Sequence, residues 1–161
     1  MTRNATVINV LIADDDDGHA TLIQEHLEDS GIDNPITRFR DGAEAWAFLS
    51  GEAGDAGQPV LNPDQAYLLL LDIRMPRMDG VEVLRRIKAH PTLHAMPVIM
   101  LTTTDDPREV AECYSLGCNS YITKPVNFDD FSEVIKRLGM FISVIAITPP
   151  KICLQSRCFR Q

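Results

Sequence analysis

The stretch LLLLDIRMPRMDG, Leu68 to Gly80, decides how the chain is read. Four consecutive leucines offer no polar alternate face, which suits a strand buried on both sides of a parallel sheet. The run ends abruptly in Asp72, a charge at the carboxyl edge of a buried strand. Beyond it, Met75-Pro76 cannot extend a ladder, and Asp79-Gly80 supplies turn chemistry before the amphipathic segment VEVLRRIKAH begins. In open α/β sheets that edge is where ligands and chemistry gather.

The same grammar repeats outward from this stretch. Val7 to Ala13 predicts a strand, followed at once by Asp14, Asp15, Asp16 and Asp17 and by a helical pattern in Ala20, Leu22, Ile23 and Leu27. Ile36 to Arg40 predicts a weaker strand, and Ala43 to Leu49 a helix. Residues 50–66 lose all periodicity among glycines and prolines and are expected to form a long loop of functional or mobile character. After the Leu68 strand and its helix, VIMLT ends in Thr102, Asp106-Pro107 opens a helix that Gly117 closes, and Asn119 to Thr123 leads into Lys124-Pro125. Phe128 to Leu138 completes the alternation. Five strand-helix repeats imply a doubly wound parallel sheet of flavodoxin-like kind, in strand order 2-1-3-4-5. ISVIAI beyond it fits a strand, a continued helix or an apolar patch, and Pro149-Pro150 ends it.

Composition narrows the function classes. At 161 residues the chain fits one domain, and 45% apolar with 24% charged residues suits a globular protein rather than a disordered one. A net charge of −8 argues against a nucleic-acid partner. The amino terminus has no signal-peptide core, and Leu138 to Ile147 is too short to span a bilayer, so a cytoplasmic location without membrane contact is expected. Cys113, Cys118, Cys153 and Cys158 match no zinc spacing and are expected to be inert thiols.

In the proposed strand order Asp14, Asp15, Asp72, Thr102 and Lys124 share one rim. Clustered carboxylates repel one another, and a hard cation with oxygen ligands, best Mg²⁺, is the simplest remedy. Such a rim has the parts for phosphoryl transfer onto Asp72, with Lys124 and Thr102 holding phosphoryl oxygens and Tyr121 able to follow Thr102.

DDDD after an apolar strand, LLLLDIRMPRMDG, PVIMLT and YITKP, taken in order, resemble the motifs of response-regulator receiver domains over roughly residues 7–141. The long loop, KAHPTLHAMPVIMLTTT and the apolar extension further resemble stand-alone receivers paired with bacterial phytochrome kinases. The resemblance implies Asp72 as phosphoacceptor, with Asp14, Asp15, Asp72 and the Arg74 backbone carbonyl around Mg²⁺. It also implies contacts from Thr102 and Lys124 to the phosphoryl group, Tyr121 as aromatic switch, and a cis Lys124-Pro125 bond. The expected division is a receiver over residues 1–141 and an extension over 142–161, either a dimer contact or a disordered tail. The expected partners are a sensor histidine kinase, of bacteriophytochrome type on the narrower likeness, and a second copy of the chain.

Plainer readings compete. Asp14 to Asp17 could be a solvated turn, with Asp16 or Asp17 capping the helix. His90 and His94 have helical metal spacing, but Pro91 breaks the helix between them; His19, close to the rim, reads as an exposed helix histidine, with an influence on dephosphorylation as the alternative. A phosphatase working through an aspartyl-phosphate needs an acid two residues past the nucleophile, where Arg74 stands, so no enzyme is expected. A nucleotide or flavin carrier lacks a Gly-rich phosphate loop after the first strand.

Overall fold

Each buried apolar run becomes a strand and each amphipathic run a helix in the computed structural model, which describes residues 7–52 and 60–145. The elements alternate as β1 (Ile8–Ala13), α1 (Asp17–Asp29), β2 (Ile36–Phe39), α2 (Gly42–Ser50), β3 (Ala66–Leu71) and α3 (Gly80–Ala89). A single 3₁₀ turn, Leu93–Ala95, precedes β4 (Val98–Thr102), α4 (Pro107–Leu116), β5 (Ser120–Thr123) and α5 (Phe128–Val144). The strands form one parallel sheet in the order β2-β1-β3-β4-β5, the order expected from the sequence.

All six residues of β3 are buried, and their alternation builds the two halves of the core. Leu69 and Leu71 join α2, α3 and α4 through Phe48, Leu49, Val83, Leu84, Ile87 and Cys113. Leu68 and Leu70 join α1 and α5 through Ile23, Leu27, Phe131, Ile135 and Leu138. Successive side chains point to opposite faces of a strand, so a leucine run is what a strand with helices on both sides requires. Between β1 and β3 the chain reverses its winding direction, which leaves a crevice at the carboxyl ends of those two strands.

Several boundaries differ from expectation. β2 stops at Phe39 rather than Arg40, because the Arg40 amide turns to the Glu44 carboxylate at 3.2 Å instead of the ladder. α5 runs six residues past Leu138: Ile142 extends the Ile135–Leu138 stripe into the core, so ISVIAI begins as helix. The division after Phe141 therefore falls inside α5, and residues 146–161 lie outside the described residues, as do 53–59 of the long loop and Cys153 and Cys158. The Lys124-Pro125 bond, for which the resemblance implies cis, is trans, the form that X-Pro bonds favour intrinsically. Among the described residues no helix is long and apolar enough to cross a membrane.

Candidate functional site

The four consecutive aspartates take four different places. Asp14 follows β1 and is buried, and its Oδ1 accepts the Asp16 amide at 2.9 Å. Asp15 is exposed. Asp16 caps α1 by accepting the His19 amide at 3.0 Å, and Asp17 pairs with Arg38 at 2.5 Å. The same Arg38, on β2, also donates from Nη2 and Nε to the Asp14 backbone carbonyl at 2.9 and 3.3 Å, which clamps the turn onto the sheet edge.

Register brings the distant residues together. Ala13 lies opposite Leu71, so the next residues, Asp14 and Asp72, leave the sheet side by side. Thr102 lies opposite Thr123, which delivers Lys124 to the same rim. The Lys124 ammonium sits 2.6 Å from Asp14 Oδ2, 3.3 Å from Asp72 Oδ2 and 3.2 Å from His19 Nδ1, with its side chain 2% exposed. Asp72 Oδ1 accepts the Ile73 amide at 2.7 Å.

One ammonium therefore faces three carboxylates, since Asp14, Asp15 and Asp72 each bring an oxygen within 4.8 Å of the others. Burial pushes the Asp14 carboxyl above its ordinary range; Lys124 pulls it back in part, and the charge of Asp72 adds to the rise. Clustered, partly buried oxygens in excess of their counter-charge are the donor set of a hard divalent cation. Among the described residues, Thr102 Oγ1 is the buried side-chain polar atom without a hydrogen-bond partner. A hydroxyl left so is costly unless a ligand completes it.

A second layer of contacts surrounds this rim. The Tyr121 hydroxyl donates to the Thr104 carbonyl at 2.7 Å, and burial pushes its pKa up to about 12, with Cys113 and Glu109 adding to the rise. Glu109 on α4 accepts Thr104 Oγ1 at 2.7 Å and the Arg74 guanidinium at 2.8 Å, which ties the loop after β3 to the loop after β4. Below them, Gly80 opens α3 against the backbone of Asp72: a Cβ there would lie 2.0 Å from the Asp72 carbonyl oxygen. Arg77, at φ 67°, reaches Asp41 Oδ2 with Nε at 3.0 Å and Nη2 at 2.6 Å, and Asp41 in turn caps α2 through the Glu44 amide at 2.8 Å.

The structure thus joins Asp14, Asp15, Asp72 and Lys124, with Thr102 at the end of the neighbouring strand and Tyr121 linked to it through Thr104. Arg74 lies in the loop two residues past Asp72, its side chain engaged by Glu109. Sequence reasoning did not identify Arg38, Glu109 or the Asp41–Arg77 pair. Only the last left a signal, in the Asp41-Gly42 step and the Glu44 spaced as in a capping box. Of the two readings open for His19, the structure favours the one near the rim: the ring contacts Lys124 and packs on Phe131, although its side chain is still 36% exposed. His90 and His94 serve the turn around Pro91: His90 Nδ1 accepts the Thr92 and Leu93 amides, both at 3.2 Å, and His94 Nδ1 approaches the His90 carbonyl. Cys113 and Cys118 are buried free thiols, and burial pushes the Cys113 thiol up to about 11.

The family model that matches the chain is that of the response regulator receiver domain, over residues 10–136. Response regulator Rcp1 of Synechocystis is 36% identical over 82% of this chain and 86% of its own length. The Mn²⁺-bound structure of Rcp1 superposes with TM-score 0.77, covering 88% of this chain and 98% of that one at 32% identity. A receiver domain from Rhodospirillum rubrum gives TM-score 0.78 at 39% identity over 89% and 98% of the two chains. The phosphorylated cyanobacterial phytochrome response regulator RcpA gives 0.75 at 35% identity over 90% and 99%.

Proposed function

The chain belongs to the response regulator receiver domain family, and from that premise we propose that it accepts a phosphoryl group on Asp72 from a sensor histidine kinase. The observation that carries this reading is the Lys124 ammonium lodged between Asp14 and Asp72, with a buried Thr102 hydroxyl that has no partner at the end of the adjoining strand.

In the transfer a carboxylate oxygen of Asp72 attacks phosphorus. The phosphorus–nitrogen bond to the kinase histidine breaks, and that nitrogen keeps the electron pair. Asp14, Asp15, Asp72 and the Arg74 backbone carbonyl would hold Mg²⁺, which, when bound, neutralises charge on the phosphoryl oxygens. Lys124 needs no large movement, since its weakest contact, 3.3 Å to Asp72, is the one a phosphoryl oxygen would take over. Thr102 Oγ1 donates to a second phosphoryl oxygen and gains the partner it lacks. Tyr121 is bonded to Thr104, two residues further along the same segment, so any movement of Thr102 reaches the α4–β5 face.

On this reading the chain is a switch rather than an enzyme, working in the cytoplasm without nucleic acid or membrane as partner. The net charge of −8 supports the exclusion of nucleic acid. The likeness to RcpA and Rcp1 supports a bacteriophytochrome kinase as donor. Exposed Met140, Phe141 and Val144 at the end of α5 support a homodimer contact there.

Incubation with Mg²⁺ and acetyl phosphate should attach one labile phosphoryl group per chain, and Asp72→Asn should abolish it. Intact-mass spectrometry reads both. Equal labelling of the Asp72→Asn variant, or none in the parent protein, overturns the proposal.

A further inference from the structure

We infer that His19 is a positioning residue for Lys124 and prolongs the life of the phosphorylated state; the inference rests on Asp72 being the phosphoacceptor. An ammonium carries three donors and no acceptor, so His19 Nδ1, 3.2 Å from Lys124 Nζ, accepts a hydrogen bond and its ring proton lies on Nε2. With Asp14 and Asp72 taking the other two, every donor of Lys124 is engaged. Asp14 and Asp72 are buried, whereas the His19 side chain is 36% exposed, so His19 is the outermost of the three partners.

The ring is fixed in place from two sides. The Asp16 cap of α1 holds the His19 backbone amide at 3.0 Å, and the Phe131 ring of α5 lies against the imidazole at 5.8 Å between centroids. Loss of an aspartyl-phosphate occurs when a water oxygen attacks phosphorus, the phosphorus–oxygen bond to Asp72 breaks, and Asp72 returns as carboxylate while inorganic phosphate departs. Without His19 the third Lys124 donor turns to water, the ammonium is less firmly directed at the phosphoryl oxygens, and a water molecule gains the place beside them.

The test compares His19→Leu, His19→Asn and His19→Gln with the parent protein after labelling with acetyl phosphate and Mg²⁺, reading the half-life of the phosphorylated form by mass and thermal stability alongside. The Asn side-chain oxygen stands where Nδ1 stands, whereas that of Gln reaches the place of Nε2. His19→Leu should shorten the half-life by about threefold to tenfold, the effect of one ordinary hydrogen bond. His19→Asn should stay within about twofold of the parent and His19→Gln should resemble Leu, with melting temperatures alike. A His19→Leu half-life equal to the parent's, or Asn and Gln variants that behave alike, overturns the inference. A parent protein that takes up no phosphoryl group overturns instead the function on which it rests.

Discussion

Two groupings of buried carboxylate with basic side chain lie close to the loop after β3, and they are built to opposite ends. Asp41 and Arg77 form a closed pair: one Asp41 oxygen receives two guanidinium donors, the other caps α2, and nothing is left over. The Asp14–Asp72–Lys124 grouping is open, with surplus negative charge, a third acid within reach and, at the end of the adjoining strand, a buried hydroxyl without a partner. Satisfied burial of charge fixes backbone, whereas unsatisfied burial creates demand for a ligand. The difference separates scaffold from site, although both use the same residue chemistry.

The strongest way to break this contrast is Lys124→Met. It removes the counter-charge of two buried carboxylates and should lower unfolding free energy by about 3–5 kcal/mol in urea titrations without divalent cation. Adding Mg²⁺ should recover part of that loss, because the open grouping can exchange one cation for another. No recovery would mean the carboxylates do not share a cation.

Asp41→Ala should cost less, about 1–2 kcal/mol, chiefly from the lost α2 cap, because Arg77 is largely exposed and re-solvates. Mg²⁺ should leave that cost unchanged. Burial raises the Asp41 carboxyl, but the Glu44 amide and the Arg77 guanidinium outweigh it and hold it below the ordinary Asp range. A carboxyl depressed on folding stabilises above its unfolded pKa, about 3.9, and that contribution disappears as pH falls through the lower folded value. Urea midpoints followed from pH 5 to pH 2 should therefore drop less steeply in Asp41→Asn than in the parent. A parallel drop would remove Asp41 from the acid response.

Asp15→Asn should have the smallest effect on the bare protein, within about 0.5 kcal/mol, as the side chain is exposed. Most of the stability gained on adding Mg²⁺ should nevertheless vanish, which sharpens the distinction between a surface acid and a ligand. An undiminished gain would take Asp15 out of the cation's reach.

Much of this was legible before any coordinates. Apolar runs such as Leu68–Leu71 and Val98–Leu101 suit strands between two helical layers, and crossover rules narrow the strand order to a handful of doubly wound arrangements, of which 2-1-3-4-5 is one. Asp14, Asp72, Thr102 and Lys124 could be gathered because each ends such a run, so topology alone brings them to one rim. The contacts that pass between loops were not legible. Arg38 to Asp14, Glu109 to Arg74 and His19 to Lys124 depend on side-chain reach across elements and leave no periodic trace in sequence. The end of α5 was ambiguous for another reason: its apolar residues suit helix and strand alike, and only Ile142 meeting the core decides between them.

The packing of Gly80 on the Asp72 carbonyl has a mechanical consequence. With its own backbone braced by the start of α3, Asp72 is an anvil that could not recoil if a phosphoryl group were added to it as proposed. The compliance would then have to come from the other jaw, the Thr102–Asp106 segment held by a few polar ties, which would set the direction of any signal in advance.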